Sequence, residues 1–311
     1  MNSTLNLYAV TVLIWGSTWL AIHYQLGVVP PMVSIVWRFV LASAILFAYA
    51  GSRKMKLGFT PREHAWIALQ GLLLVGLNYI GAYTAEIYLP SGLVAVAFSL
   101  VVFFNIAGMH VFFGAPVNLM RWLAAALGVL GVALLFSPEF ADVSRSGAPL
   151  LGLGIAIAGT LSASLGSIVA ARNQRHGLEV VPLNAWSMFY GTVFMALLSA
   201  IAGNPFVFDT SFAYVASLLY LAIPGSVIAF GTFLTVLKRI GADRAGYVSV
   251  LIPAVALLLS TLFEHLQWQA TMFAGLALCL IGNVLMLART KPALTPKEAA
   301  VLDAPRPETP L

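Results

Sequence analysis

The chain has 311 residues, 60% of them hydrophobic and only 9% charged, with a net charge of +5. A soluble protein carries roughly 45–50% apolar and about 25% charged residues, so this composition excludes an ordinary water-soluble enzyme and a disordered chain alike. The one cysteine, Cys279, rules out an internal disulfide and a cysteine-built metal cluster.

A mean hydropathy of +0.94 makes lipid the solvent for most of the chain. A helix crossing the ~30 Å hydrocarbon core needs ~20 mostly apolar residues. Ten stretches qualify: 6–25, 32–51, 65–85, 92–113, 119–137, 149–171, 183–202, 213–236, 245–263 and 269–288. Backbone amides find no water in lipid, and these runs are too continuous for barrel strands. The expected fold class is therefore an all-α integral membrane protein of ten transmembrane helices. Short turns such as Pro30-Pro31, Pro90-Ser91-Gly92 and Asn204-Pro205 join the spans.

The first span lacks a charged leader and exceeds a signal-peptide core, so it is read as retained. At its midpoint lie Trp15-Gly16-Ser17-Thr18, with Gly16 a candidate kink. Trp15 and Trp19, four apart, share a face that packs on lipid or stacks on a flat substrate. In the second span Arg38 lies some six residues from the external boundary, ~9 Å at 1.5 Å per residue. It is expected to snorkel outward to headgroups, the alternative being a cation presented to an anionic group in a vestibule.

The third span carries Asn78, Tyr79 and Tyr83, the tyrosines on one face. Asn78 serves either an interhelical hydrogen bond or a pathway wall. Glu86, just beyond, is expected to be solvated. The fourth span offers Ser99 and Asn105. The sixth has a small-residue stripe, Gly154, Ala158, Ser162, Gly166 and Ala170, suited to close helix packing. Ser164 lies off the stripe and is a cavity candidate.

In the eighth span Pro224-Gly225-Ser226 predicts a kink or break; Pro253 does so in the ninth, beside Ser249 and Ser260. Such bends shape helix packing or line a cavity. Glu264 and His265, an adjacent titratable pair, close the ninth span. The expected binding set is Trp15, Asn78, Tyr79, Tyr83, Ser99, Ser164 and Ser249. The expected kinks are Gly16, Pro224, Gly225 and Pro253. The cavity is expected among spans one, three, four, six, eight and nine.

Charge placement sets the orientation. Fourteen of the sixteen Lys and Arg residues fall on alternate loops and the tail, among them Arg53, Lys54, Arg121, Arg172, Lys238 and Arg289. The opposite loops hold only Arg145, and Arg38 lies within a span. Both termini are therefore expected on the cytoplasmic side. Residues 290–311, rich in proline and charge, read as a disordered cytoplasmic tail.

The halves resemble each other at a shift of about 150 residues. Gly16-Ser17 matches Gly166-Ser167, and Gly81-Ala82-Tyr83 matches Gly231-Thr232-Phe233. Five spans per copy force the second copy to enter the membrane upside down. The expected units are residues 1–146 and 147–289, two inverted five-helix repeats. Such repeats are the architecture of many secondary transporters, with substrate bound near the midplane.

Other chemistries are missing. No glycine-rich loop ends in Lys-Ser or Lys-Thr, and the five histidines lack partners at metal-ligand spacing. A membrane-embedded lipid enzyme would need clustered catalytic groups, and none is legible. No cofactor or metal is expected. The expected partners are a small-molecule substrate and the lipid bilayer, with no nucleic acid and a monomeric chain.

Several short motifs carry a resemblance: Trp15-Gly16-Ser17, Pro31 with Trp37-Arg38-Phe39, Pro253, and Glu264 before Gly275 and Gly282. With the five-plus-five layout they resemble the drug/metabolite transporter superfamily, EamA type, over nearly the whole chain to residue 288. Within it the chain looks most like bacterial aromatic amino-acid exporters of the YddG type. The resemblance implies export of amino acids across the inner membrane by alternating access. Drugs, nucleosides and nucleotide sugars are the alternatives. One departure is Gly114-Ala115-Pro116, where many members carry Gly-Glu.

Overall fold

The computed structural model describes residues 2–114, 117, 119–137, 148–240 and 248–287; the notable positions Ala115, Pro116, Arg145 and the tail lie outside them. In chain order the helices are α1 (Asn2–His23), α2 (Pro31–Ser52), α3 and α4. The third, α3, runs from Pro61–Gln70 through a π-helical segment, Gly71–Leu77, into Asn78–Ala85. The fourth, α4, joins Ser91–Phe98 to Val101–Phe113. Then follow α5 (Leu119–Leu135), α6 (Ala148–Arg175) and α7 (Val180–Ile201). The eighth, α8, is Phe212–Ala222, a π-helical segment Pro224–Ile228, and Ala229–Ile240. Last come α9 (Val248–Phe263) and α10 (Ala270–Leu287).

Helices α1, α2, α3, α4, α6, α7 and α8 each contain a stretch long and apolar enough to cross a membrane. The apolar runs of α5, α9 and α10 are shorter. The chain is thus an all-helical, multi-pass membrane protein over the described residues.

Helix starts follow local chemistry. Pro31 and Pro61 sit at first-turn positions, where a missing N–H costs nothing. Thr60 accepts from the Glu63 backbone N–H at 3.3 Å, and the Glu63 carboxylate accepts from the Thr60 N–H at 2.7 Å, a reciprocal cap. Gly114 ends α4 at φ 66°, a left-handed conformation that suits glycine.

Helix pairs form where side chains shrink. A Cβ on Gly81 of α3 would meet the Gly159 Cα of α6 at 2.6 Å, so only glycine lets these backbones approach so closely. A Cβ on Gly131 of α5 would meet the Cys279 backbone nitrogen of α10 at 2.6 Å. The small-residue stripe expected on α6 is used in part. Gly166 packs on Leu74 and Ser162 donates to the Leu73 carbonyl at 2.8 Å, but Gly154 faces open space.

The main packing pairs have a regularity. α2 packs on α7, α5 on α10 and α4 on α9. α3 packs on α6 as α1 packs on α8; α1 on α9 as α6 on α4; and α3 on α7 as α8 on α2. Exchanging α1–α5 with α6–α10 leaves these pairs unchanged. The two π-helical segments, in α3 and α8, also exchange with each other.

Candidate functional site

A cavity of about 210 Å³ lies inside the bundle. α1 supplies Thr18, Trp19 and Ile22, and α2 supplies Arg38. α3 supplies Asn78, Tyr79 and Ala82; Phe98 and Ser99 come from α4, Ala163 from α6, and Pro253 from α9. Five of the six expected helices contribute. α8 does not, because α1 and α2 stand in the way. A Cβ on Gly225 would meet Thr18 Cγ2 at 2.9 Å, and Arg38 Nη2 lies 4.0 Å from the same point.

Asn78 is placed by the π-helical segment before it. Its backbone N–H donates to the Leu73 carbonyl, five residues back, in place of Leu74. The side-chain Nδ2 serves that Leu74 carbonyl instead, at 2.9 Å. This fixes the amide orientation and leaves Oδ1 buried without a partner. Single-turn π-segments of this kind recur at functional sites.

Arg38 is the largest departure from the sequence reading. It does not snorkel to headgroups: it is 2% exposed and lines the cavity. Its guanidinium sits 4.6 Å from the Tyr79 ring centroid and 5.1 Å from that of Phe39, and Nη2 donates to the Tyr79 hydroxyl at 3.5 Å. The two rings meet edge to face at 4.8 Å. The packed rings explain the inward placement, because aromatic faces attract a desolvated cation. Arg38 Nε and Nη1 are buried without a partner. Among the described residues no carboxylate oxygen comes within 4.0 Å of the guanidinium.

The other expected residues fall in different surroundings. Trp15 is not on the cavity wall. Its Nε1 donates to the Gly225 carbonyl at 3.2 Å, in the π-helical turn of α8, and its ring packs on Phe230 and Phe233. Tyr83 is buried behind the wall and donates to Gln25 Oε1 at 2.7 Å. Ser164 is buried, its hydroxyl without a partner, next to the wall residue Ala163. The Ser249 side chain lies outside the described residues. Ser99 lines the cavity and donates to the Val96 carbonyl at 2.7 Å.

Of the expected kinks, Pro224 and Gly225 begin the π-helical turn, while Pro253 sits inside a continuous helix on the cavity wall. Gly16 lies within the continuous helix α1 and admits Val255 of α9, whose Cβ would lie 2.6 Å from an added Cβ.

At the end of the bundle that carries the α1–α2 loop, three helices meet at Glu264. Its carboxylate accepts from the Ser91 hydroxyl at 2.6 Å and the Ser91 backbone N–H at 3.2 Å, and lies 3.2 Å from His23 Nδ1. These partners come from α4 and α1, distant in the chain. Glu86 is not solvated; it is 5% exposed, with both carboxylate oxygens unpartnered. Burial, and then the negative charge of Glu264, push its carboxyl well above the usual range. Glu86 and His23 also border a second hollow of about 530 Å³ beside the α1–α2 loop.

Sequence reasoning passed over Thr18 and Phe98 on the wall and Gln25 behind it. Nothing in their spacing distinguishes them from packing residues.

Comparison with known proteins agrees with this architecture. The sequence pattern of the EamA-like transporter family matches residues 3–137 and again 150–288. The chain is 24% identical to the uncharacterized transporter YoaV of Bacillus subtilis (strain 168), over 92% of this chain and 98% of that one. It is 28% identical to the uncharacterized inner membrane transporter YedA of Escherichia coli (strain K12), over 91% and 92%. It is 23% identical to a probable amino-acid metabolite efflux pump of Escherichia coli (strain K12), over 87% and 90%. A solved protein structure shares the fold with a TM-score of 0.64 at 17% identity, covering 92% of this chain and 96% of the other.

Proposed function

The chain belongs to the EamA-like transporter family, and from that premise we propose that it exports amino acids, aromatic ones foremost, across the bacterial inner membrane by alternating access. At the family level it is a membrane transporter of small metabolites and not an enzyme. The observation that carries the finer reading is the cavity: about 210 Å³, walled by helices of both halves, with Trp19, Tyr79 and Phe98 beside Arg38 and Asn78. That volume falls below the roughly 300–1,000 Å³ of drug-sized sites. Aromatic walls with a few fixed polar groups suit a small ligand with an apolar body and a polar head. The similarity to a probable amino-acid metabolite efflux pump supports the same class.

The two halves act as inverted five-helix repeats, residues 1–146 and 147–289, with both termini cytoplasmic. The exchange symmetry of the packing pairs, the paired π-segments and the doubled family match support this reading. The state described is closed on the outside. Glu264, Ser91 and His23 tie α9, α4 and α1 together there. α1 also packs on the first part of α4, whereas the symmetry-related pair α6 and α9 does not pack to that extent among the described residues. The inner end is therefore the open one.

Reconstitution tests the proposal. Proteoliposomes holding only this chain are loaded with radiolabelled phenylalanine, leucine, a nucleoside or a cationic drug, and counterflow is measured. Flux of the amino acids, phenylalanine fastest, is expected. Flux confined to the nucleoside or the drug would replace the amino-acid reading with another branch of the family.

A further inference from the structure

The charge inside the cavity has no counter-charge beside it. A guanidinium is always ionised and carries five N–H donors. Burying one without partners is costly, so such a group marks a site that something else completes. Arg38 uses Nη2 on Tyr79 and leaves Nε and Nη1 with nothing. Tyr83 faces it as a neutral hydroxyl that gives its proton to Gln25 and offers only its oxygen to the guanidinium, and Glu86 acts on it electrostatically from beyond ion-pair distance, so neither supplies a bonded counter-charge. On the same cavity Asn78 Oδ1 is a buried acceptor without a donor. The hollow thus presents a fixed cation with free donors, a free acceptor, and otherwise an apolar and aromatic surface.

We propose that Arg38 and Asn78 form a head-group clamp for a zwitterionic α-amino acid, Arg38 Nε and Nη1 holding its carboxylate and Asn78 Oδ1 its ammonium. The inference deepens the reading given above and rests on it. The planar guanidinium fork matches a carboxylate in a way a lysine ammonium does not. The substrate side chain then lies among Trp19, Phe98 and Ile22. Glu86 supports the assignment, since its oxygens stay beyond ion-pair distance and burial disfavours its charged form, which leaves the Arg38 charge for the ligand. Entry of a carboxylate removes the penalty of the bare cation, so selectivity for acids arises from a site that is costly when empty.

The test compares matched ligands on the full-length chain in detergent and in proteoliposomes. Binding is read as a shift in thermal unfolding, and transport as competition with labelled phenylalanine counterflow. Phenylalanine, phenylalaninamide, phenethylamine and 3-phenylpropionate differ only in the head group. The wild type is expected to prefer phenylalanine at least tenfold over phenylalaninamide and phenethylamine, with 3-phenylpropionate intermediate. In Arg38→Gln the preference for the acid over the amide disappears, and Arg38→Lys retains a part of it. Asn78→Asp, with its anionic oxygen, still accepts the ammonium, whereas Asn78→Leu loses the advantage of phenylalanine over 3-phenylpropionate. The wild-type comparison stands alone if the variants do not fold. Equal handling of acid and amide by the wild type, or discrimination unchanged in a folded Arg38→Gln protein, overturns the clamp. Flux of the nucleoside or the cationic drug with no response to any acid also overturns it and leaves the transporter reading intact. Absence of flux and of thermal shift with every compound sinks both.

Discussion

Trp15 and Trp19 show how one helical turn separates a structural ring from a binding ring. Both point away from α1 on nearly the same face, yet Trp15 ends at the π-helical turn of α8 and Trp19 on the cavity wall against Phe98. Truncation should therefore have different consequences. Trp15→Ala removes a partly buried ring and the donor to the Gly225 carbonyl, a loss of up to about 3–5 kcal/mol, the range for a fully buried tryptophan. It is expected to lower the melting temperature with phenylalanine selectivity unchanged in the protein that remains folded. Trp19→Ala is expected to keep most of the stability and to shift transport from aromatic toward aliphatic amino acids. Thermal unfolding and competition assays on the same preparations separate the two effects.

Glu86 supplies a pH dependence. Its carboxyl, raised by burial and by Glu264, holds a proton in the folded chain at pH values where the unfolded chain has lost it. The folded state then binds more protons, so this residue's contribution to stability falls as pH rises above the ordinary glutamate range near 4.3. Below that range both states are protonated and the effect vanishes. Glu86→Gln keeps the shape and removes the titration. It is expected to raise stability at pH 8, where the ionisation of the unfolded glutamate no longer favours unfolding, and by much less near pH 4. Melting curves across that range in detergent give the answer, and a stabilisation independent of pH would contradict it.

At the scale of the element, most of the helical layout was legible because an apolar run of twenty residues has few alternatives in lipid. Pro224-Gly225 announced the interruption of α8, since a missing donor and a weak helix former stand side by side. The matching interruption in α3 was not legible. Gly71–Leu77 contains no proline, and its register shift depends on packing: Gly71 is pressed against the Ser187 carbonyl of α7 and Leu74 against Gly166 of α6. Arg38 was misread for a related reason. Distance from the boundary fixes depth, but the direction of a side chain depends on Phe39 and Tyr79, which come from two helices. The expected binding residues gather only in part, Asn78, Tyr79 and Ser99 on the wall and Trp15, Tyr83 and Ser164 off it, because helical spacing gives a face and not the neighbour it meets.

The glycine contacts make an element-level prediction with its own control. Gly81→Val would drive a branched side chain into the Gly159 Cα and push α3 from α6, so that Asn78 and Tyr79 leave their places. It is expected to lose more than 3 kcal/mol or fail to fold. Gly154→Ala on the same pair of helices meets nothing within 4 Å and should be neutral or slightly stabilising, since alanine is the better helix former. Comparable melting temperatures for the two variants would show that the α3–α6 contact is not held by its glycines.

On the scale of the molecule, the closure proposed for the outer face is a single carboxylate shared by three helices. α1 and α4 come from the first half and α9 from the second, and Glu264 holds them through His23 and Ser91. The proposed carrier opens outward by separating these ends, so Glu264 sets how often it does. Glu264→Ala removes the contact with His23 and leaves the Ser91 N–H at the start of a helix without its acceptor, a loss of about 1–3 kcal/mol from the closed state alone. A shift of 1.4 kcal/mol changes a two-state population tenfold. The readout is a cysteine placed at Ser99 on the cavity wall, against a background of one native cysteine that is buried. In right-side-out vesicles, a membrane-impermeant maleimide should label Ser99→Cys slowly and Ser99→Cys/Glu264→Ala at least tenfold faster. Saturating phenylalanine should alter labelling in both. Equal rates would mean that Glu264 only braces helix ends and that closure lies elsewhere. Fast labelling from outside in the protein that retains Glu264 would place the open mouth of the cavity on the other side and reverse the state assigned to this structure.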